Sequence, residues 1–193
     1  VLAQDRPERS KALQGLRMEP VFARGQMSDS LRAGLGRIDP THAVLLLLAD
    51  MPEIESQDLS KMISAYSLAP EFIYRATNDM GHDGHPVIFP VWARPALMGI
   101  IGDTGAKAAL KAHAHCILHV PLPGVRATTD LDTPEDWAKW RKAQAERRNS
   151  EDDDLDNEAH DRMQEAESFS EEAGLHGSAD VISDAATGLK DSS

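Results

Sequence analysis

The apolar positions of this chain alternate between strand-like and helix-like stretches. The clearest strand is the continuous apolar run 43–49, which ends at Asp50-Met51-Pro52. A run without polar alternation is typical of a parallel strand covered on both faces, so we place it in the middle of a sheet. After it, Ser56 can cap a helix whose apolar residues share one face. These residues are Leu59, Met62, Ile63 and Tyr66.

The pattern then repeats in weaker form. Short apolar runs at 72–76, 86–91 and 116–120 are separated by helical stretches near 95–101 and 105–113. This alternation predicts an α/β fold whose parallel or mixed sheet carries helices on both faces.

The start of a further helix is predicted by the segment Thr133-Pro134-Glu135-Asp136. Thr133 fits the N-cap, Pro134 fits the first helical position, and Asp136 can reach back to the cap. The aromatic and small residues that follow at intervals of three predict a buried stripe. They are Trp137, Trp140 and Ala143.

Charge divides the chain into two parts. Residues 1–150 hold 18 acidic and 18 basic side chains, whereas residues 151–193 hold 14 acidic and 2 basic ones, so the net charge of −12 belongs to the tail. Like charges with few apolar neighbours cannot bury enough surface to offset chain entropy. We therefore expect a folded domain over 1–148 and a disordered acidic tail over 149–193.

Residues 1–150 carry no net charge, which limits the kinds of ligand or partner that they can attract. They offer no broad basic field for nucleic acid or for an anionic membrane, which favours a small ligand in a local site. The chain has no apolar run of about 18 residues for a membrane span. Cys116 is the only cysteine, which excludes an internal disulfide and fits a reducing, cytoplasmic compartment.

Acidic residues mark the candidate chemistry. Asp50 directly follows the most apolar run, and ligands of open α/β sheets bind at the carboxyl ends of strands. Asp130 and Asp132, two positions apart, are expected to follow another strand. Two carboxylates from separate strand ends can hold one Mg²⁺, with water and phosphate as the remaining ligands. The alternative interpretation is structural, with Asp50 capping a turn and Asp132 supporting a helix N-terminus.

Two loops are weaker candidates. The segment 28–35 begins a helix soon after Gly25, so Ser30, Arg32 and backbone N–H groups could receive a phosphate. The glycine-rich segment 81–86 leads into an apolar run, and the extended backbone of His85 before Pro86 could direct its ring into a crevice. Each is by itself also an ordinary capped helix or loop.

Five motifs together resemble a known family, the MobA-like NTP transferases, and within it the molybdenum cofactor cytidylyltransferases. The resemblance covers about residues 1–145, and five motifs in order are far more specific than any one of them. The motifs are Asp29-Ser30-Leu31-Arg32-Ala33-Gly34-Leu35, Leu48-Ala49-Asp50-Met51-Pro52, Gly84-His85-Pro86-Val87-Ile88-Phe89, Gly102-Asp103-Thr104-Gly105-Ala106-Lys107 and Asp130-Leu131-Asp132-Thr133-Pro134-Glu135-Asp136.

The resemblance implies a Rossmann-like three-layer sandwich with a mostly parallel sheet, of the nucleotide-diphospho-sugar transferase-like fold. It also implies an enzyme that transfers CMP from CTP, or GMP from GTP, to molybdopterin and releases pyrophosphate. It implies Mg²⁺ held by the catalytic residues Asp50 and Asp132, and a molybdoenzyme or chaperone as a partner. Three residues would lie near the nucleotide and four would border the molybdopterin. The first group is Ser30, Leu31 and Arg32, and the second is Gly84, His85, Gly102 and Asp103.

The chain departs from the family at its start. Members begin with a strand and a glycine-rich loop that wraps the triphosphate, and nothing before Val21 has that pattern. The opening at Val1 favours a fragment whose first strand and phosphate loop were lost, which by itself would be inactive. The alternatives are a nucleotidyltransferase that acts on a sugar phosphate or another acceptor, and a non-catalytic, truncated binding protein.

Overall fold

The computed structural model describes residues 1–3, 7–102, 106–149 and 162–163, and these form two compact units, 1–132 and 133 onward. The strands of the first unit are β1 (Leu2–Ala3), β2 (Phe22–Ala23), β3 (Val44–Leu46), β4 (Ile73–Thr77), β5 (Asp83–Phe89) and β6 (Ile117–Pro121). Its α-helices are α1 (Pro7–Ala12), α2 (Met27–Leu35), α3 (Ser56–Leu68), α4 (Arg94–Met98) and α5 (Lys107–Ala112). Short 3₁₀ helices cover Val91–Ala93, Ala114–Cys116 and Arg126–Thr128.

The strands form two sheets. The strands β1 and β2 pair in parallel, and a second sheet has the order β3-β5-β4-β6. In that sheet β5 runs antiparallel to both neighbours, and β4 runs parallel to β6. The predicted α/β class is confirmed, with a sheet of mixed rather than mostly parallel pairing.

The position of β3 corrects one prediction. The apolar run 43–49 was expected in the middle of a sheet, but β3 lies at an edge and pairs only with β5 among the described strands. Its other side borders an apolar groove that residues 44–49 help to line. The groove accounts for an unbroken apolar run on a strand that is not central.

The two faces of the larger sheet carry separate apolar clusters. Alternate residues of β5 divide between them, because successive side chains of a strand point to opposite faces. Val87 and Phe89 pack with α2, α4 and α5 residues on one face, which we call the α2 face. Ile88 packs with Met62 of α3 on the other, the α3 face. The arrangement is a helix-sheet-helix sandwich.

The helix α3 differs in detail from its predicted form. Its N-cap is Glu55 rather than Ser56, with Asp58 completing a reciprocal capping box. Met62 is fully buried as expected, but Ile63 is 53% exposed. The buried stripe instead includes Asp58, a polar residue that an apolar-pattern argument passes over.

The helix α2 is tied at both ends. Its N-cap Gln26 and Asp29 form a capping box. At the other end the guanidinium of Arg94 donates to four backbone carbonyl groups that follow or end the helix. This satisfies acceptors that a helix C-terminus leaves open. The four carbonyl groups belong to Leu35, Ile38, Asp39 and His42.

The second unit contains a helix over 134–149, which we call α6. Its predicted start is confirmed, because the Thr133 hydroxyl donates to Asp136 at 2.6 Å and the Asp136 N–H donates back at 3.2 Å. Trp137 and Trp140 meet edge to face at 5.9 Å between ring centroids, and both are half-buried rather than buried. Of the predicted acidic tail 149–193, all but 149 and 162–163 lie outside the described residues.

No helix within the described ranges has the length and apolar character needed to cross a lipid bilayer.

Candidate functional site

The edge of the larger sheet at which β3, β4 and β6 end carries part of the predicted site. The strands β3, β4 and β6 run in the same direction and β5 runs against them, so the carboxyl ends of three strands meet the start of β5. Asp50 follows β3 at this edge, and His85 lies near the start of β5. This is the crevice in which open α/β sheets bind ligands.

Asp50 has an unusual environment. Its Oδ1 atom is buried and has no hydrogen-bond partner among the described residues. Buried polar side-chain atoms are nearly always hydrogen-bonded, because leaving one unpaired costs about 1–3 kcal/mol. No described hydrogen bond therefore holds this oxygen in a turn.

A backbone contact brings the second acidic segment to Asp50. The Leu131 N–H donates to the Asp50 carbonyl at 2.9 Å, and Leu131 is 8% exposed while its neighbours Asp130 and Asp132 are exposed. The segment follows the 3₁₀ helix Arg126–Thr128 and not a strand, which corrects the prediction. The buried leucine anchors the segment and leaves both carboxylates facing solvent.

The carboxylates do not form a complete metal cage. Within the described ranges, no group of three or more His, Cys, Asp and Glu side chains is close enough to hold a metal ion. The assignment of Asp132 as second ligand stays a prediction. Asp130 contributes to the electrostatic environment of the His85 ring.

His85 is largely buried, and its pKa lies below the ordinary histidine value. Burial is the main cause; the Leu46 carbonyl, 3.5 Å from Nδ1, raises the pKa, Arg75 lowers it, and Asp50 and Asp130 raise it. The imidazole is therefore mainly neutral at pH 7, with Nδ1–H donating to the Leu46 carbonyl and Nε2 left as a hydrogen-bond acceptor.

Gly84 brings β5 against the acidic segment. A Cβ atom at this position would lie 1.8 Å from the Ala127 carbonyl oxygen, so only glycine fits. The contact holds the 3₁₀ helix Arg126–Thr128, and hence the start of the Asp130 segment, beside His85. The peptide bond between His85 and Pro86 is cis.

The predicted nucleotide residues lie on α2. The guanidinium of Arg32 donates to the Ile100 carbonyl at 2.5 Å and to Asp29 at 2.6 Å, so it fixes α2 to the turn that follows α4. Gly102 has a φ of 78°, and its Cβ position would lie 3.7 Å from Gln26 Oε1. The structure thus places Gly102 at the start of α2, apart from the β5 residues with which it was grouped.

Asp103, also predicted to border the acceptor, lies outside the described residues.

A groove of about 480 Å³ separates the two sheets. Ser30 and Leu31 line one wall and β3 lines the other, with Val1 and Val21 from the β1–β2 side. The walls are mainly apolar, and β3 presents its unpaired edge to the groove. Two of the predicted nucleotide residues, Ser30 and Leu31, thus border the groove, whereas Gly84 and His85 of the predicted acceptor residues lie on β5, the strand paired with β3.

Sequence reasoning missed one cluster at the same sheet edge. The guanidinium of Arg75 on β4 donates to Asp83 of β5 at 2.7 Å, and His119 Nε2 of β6 lies 3.0 Å from the other oxygen of that carboxylate. An arginine inside an otherwise apolar strand was the available signal. Its partners are visible only once Arg75 and His119 are paired in register.

Solved structures of similar fold exist, although a search of curated proteins finds no match. Rv0371c from Mycobacterium tuberculosis H37Rv aligns over 72% of each chain, with 22% identity and a TM-score of 0.59. Its complex with manganese aligns over 72% of this chain and 74% of that one, with 24% identity and a TM-score of 0.59. The 4-diphosphocytidyl-2C-methyl-D-erythritol synthase of Anaerococcus prevotii DSM 20548 aligns at 16% identity over 70% of this chain and 75% of that one, at 0.53. These likenesses confirm the nucleotide-diphospho-sugar transferase-like fold.

The sequence itself carries the stronger finding. The family model of the MobA-like NTP transferase domain matches residues 1–116, and thereby covers β1 to β5, Asp50 and His85. That is more than half of the 193 residues. This protein belongs to the MobA-like NTP transferase family.

Proposed function

We propose that this chain is the nucleotidyltransferase domain of a molybdenum cofactor enzyme, acting in the cytoplasm. CTP or GTP is the donor and molybdopterin the acceptor. An oxygen of the acceptor phosphate bonds to the α-phosphorus, and the bond to the pyrophosphate leaving group breaks. Family membership, the five ordered motifs and the fold support this proposal.

The observation that carries the proposal is the buried, unpartnered Oδ1 of Asp50 at the strand end. A hard divalent cation such as Mg²⁺ prefers oxygen ligands of this kind. Asp50 and Asp132 would hold it, with Asp130 beside them. When bound, the ion neutralises phosphate charge and so lowers the barrier to attack at phosphorus.

The other residues of the edge would bind and orient the acceptor. With Nδ1–H donating to the Leu46 carbonyl, the neutral His85 ring can accept a hydrogen bond at Nε2 from an N–H or O–H group of the acceptor without adding a full charge. Gly84 and the anchored Leu131 hold His85 and the acidic segment at a fixed separation. Such positioning contributes to catalysis because the reacting groups no longer lose freedom on meeting.

The donor would bind across the groove, on the α2 side. Ser30 and Leu31 line it, while Arg32 keeps α2 in place through Ile100 and Asp29. A triphosphate needs a cradle of backbone N–H groups and a cation. We infer that an apolar strand ending in a glycine-rich loop fills the groove and pairs with the free edge of β3, since the walls are apolar and the edge is open.

Calorimetric titration of the 193-residue chain with CTP and with GTP, with and without Mg²⁺, tests the metal site. We expect weak binding that Mg²⁺ strengthens, and the Mg²⁺-dependent part should disappear in Asp50→Asn. Asp39→Asn is the matched control, because Asp39 is a carboxylate at the opposite end of β3 that holds a turn through Thr41. An equal response of Asp50→Asn and Asp39→Asn to Mg²⁺ would refute the assignment.

A further inference from the structure

Arg75, Asp83 and His119 form a row across three strands of the sheet edge. The two donors reach different oxygens of one carboxylate, at 2.7 and 3.0 Å. The side chain of Arg75 is 21% exposed, whereas those of Asp83 and His119 are 48% and 52% exposed. Two donors that converge on a solvent-facing carboxylate present a geometry that also fits the oxygens of an external oxyanion.

The row continues into the candidate site. Asp83 and His85 are two positions apart on β5, and Arg75 donates to the Asp83 carboxylate at 2.7 Å and to the carbonyl of the intervening Gly84 at 3.3 Å. The charge of Arg75 lowers the pKa of His85, while Asp50 and Asp130 raise it, so all three charged groups lie within electrostatic reach of one ring. Across the sheet, β3, β5, β4 and β6 thus each contribute one polar group to this edge, in the order Asp50, His85, Arg75 and His119.

The other arginines with described contacts bind groups outside this row. Arg94 is bonded to backbone carbonyl groups behind α2, and Arg126 is paired with Asp58 and Glu55 on the α3 face. Arg32 holds Ile100 and Asp29, and Arg37 is paired with Glu19. Arg75 is held mainly by an exposed aspartate at the first position of a strand, a partner that rotation of one side chain can remove.

We propose that Arg75 and His119 form an oxyanion subsite that takes the phosphate group of the acceptor, with Asp83 as the internal group that the phosphate displaces. The inference rests on the proposed function and names where the acceptor's charge is met. A phosphate monoester carries about −1.5 to −2 charges at pH 7. Brought close to Asp50 and Asp130 it needs a fixed positive charge, and Arg75 supplies one.

Titration of the 193-residue chain with inorganic phosphate tests the subsite, with amide and histidine ring signals followed by NMR at constant ionic strength. We expect saturable shifts centred on Arg75, Asp83 and His119. Arg75→Gln should weaken binding roughly 10-fold, the effect of losing a charge-assisted hydrogen bond, and Arg75→Lys should retain part of it. The control is Lys61→Gln, which removes one positive charge from the α3 face and should change the affinity little.

Asp83→Asn gives a prediction of opposite sign. If the carboxylate competes with phosphate, its neutralisation should tighten binding several-fold, and the gain should be lost in the double variant with Arg75→Gln. A structural ion pair predicts no such gain. Equal affinity of Arg75→Gln and the unaltered chain, or no gain in Asp83→Asn, would overturn the proposal.

Two further experiments identify which substrate supplies the phosphate, and they distinguish the phosphate subsite from the proposed function. CTP should not displace phosphate from the Arg75 signals; displacement would assign the subsite to the nucleotide and overturn its assignment to the acceptor. Asp50→Asn should still bind phosphate at Arg75. Arg75-dependent phosphate binding without any Mg²⁺-dependent nucleotide binding would support the subsite and refute the proposed function. Mg²⁺-dependent nucleotide binding without Arg75-dependent phosphate binding would support the proposed function and refute the subsite.

Discussion

Asp58 and Asp50 show how differently the two faces of the sheet use a buried carboxylate. On the α3 face, Asp58 is 3% exposed and accepts from the Glu55 N–H at 2.9 Å and from Arg126 at 3.2 Å. At the strand ends, Asp50 buries an oxygen with no partner among the described residues. The Asp58 carboxylate is thus satisfied within the fold, whereas the buried oxygen of Asp50 is not, which is what the proposed ligand site requires.

The largest expected effect comes from adding a phosphate-binding segment beside the groove. We predict that fusing an apolar strand and a glycine-rich loop ahead of Val1 raises CTP affinity about 100-fold or more, because a phosphate cradle adds several charge-assisted hydrogen bonds. The 193-residue chain alone should give no pyrophosphate release with molybdopterin, and the fused chain should. Titration and a pyrophosphate assay measure both. Transfer by the shorter chain would contradict the inferred role of the groove.

Replacing each of the two aspartates with alanine tests the comparison directly. Asp58→Ala should lower the free energy of unfolding by about 3 kcal/mol, since it removes a helix cap and leaves the partly buried Arg126 with one partner fewer. Asp50→Ala should leave stability within about 1 kcal/mol or raise it, because no described hydrogen bond of its buried oxygen is lost. Urea unfolding of both variants decides. A similar loss in both would mean that Asp50 is also structural.

Gly84 joins the two regions by a close backbone contact. We expect Gly84→Ala to cost about 2 kcal/mol, because the new Cβ would meet a carbonyl oxygen that is part of the backbone and must move. Gly99→Ala is the matched control, since its Cβ would have an ordinary 3.5 Å contact with the Pro95 carbonyl oxygen. Thermal unfolding gives the comparison, and equal melting temperatures would show that the Ala127 contact yields freely.

The smallest effect concerns pH. The pKa of His85 is lower in the folded chain than in the unfolded one, so the unfolded chain takes up the proton first as the pH falls. Stability should therefore decrease below about pH 6.5, the ordinary histidine value, until His85 also titrates in the folded state. His85→Gln should reduce this dependence. Urea unfolding at pH 5.5 and 7.5 measures it, and an unchanged slope in the variant would assign the effect to another group.

Local patterns predicted local structure well. The capped start of α6 and the strands near 72–76 and 116–120 agree with the structure because caps and apolar runs depend on neighbours in sequence. The edge position of β3 could not be read this way, because an apolar groove and a sheet interior select the same side chains.

The candidate site was predictable in part for the same reason. Asp50 follows a recognisable apolar run and His85 precedes one, and the structure brings both to one edge of the sheet. Arg75 and His119 are 44 positions apart, and only the parallel register of β4 and β6 sets them side by side. Asp58 was hidden because the helix pattern assigned the buried face to apolar residues.

Among the described strands β3 pairs only with β5, and we expect self-association of the protein to depend on what fills the groove beside its other edge. Free backbone N–H and C=O groups beside an apolar wall are a template for any extended chain, including another copy of the same molecule. Filling the groove with a strand would therefore remove a route to self-association as well as complete a binding site. Catalytic assembly and resistance to aggregation would then depend on the same ladder of hydrogen bonds.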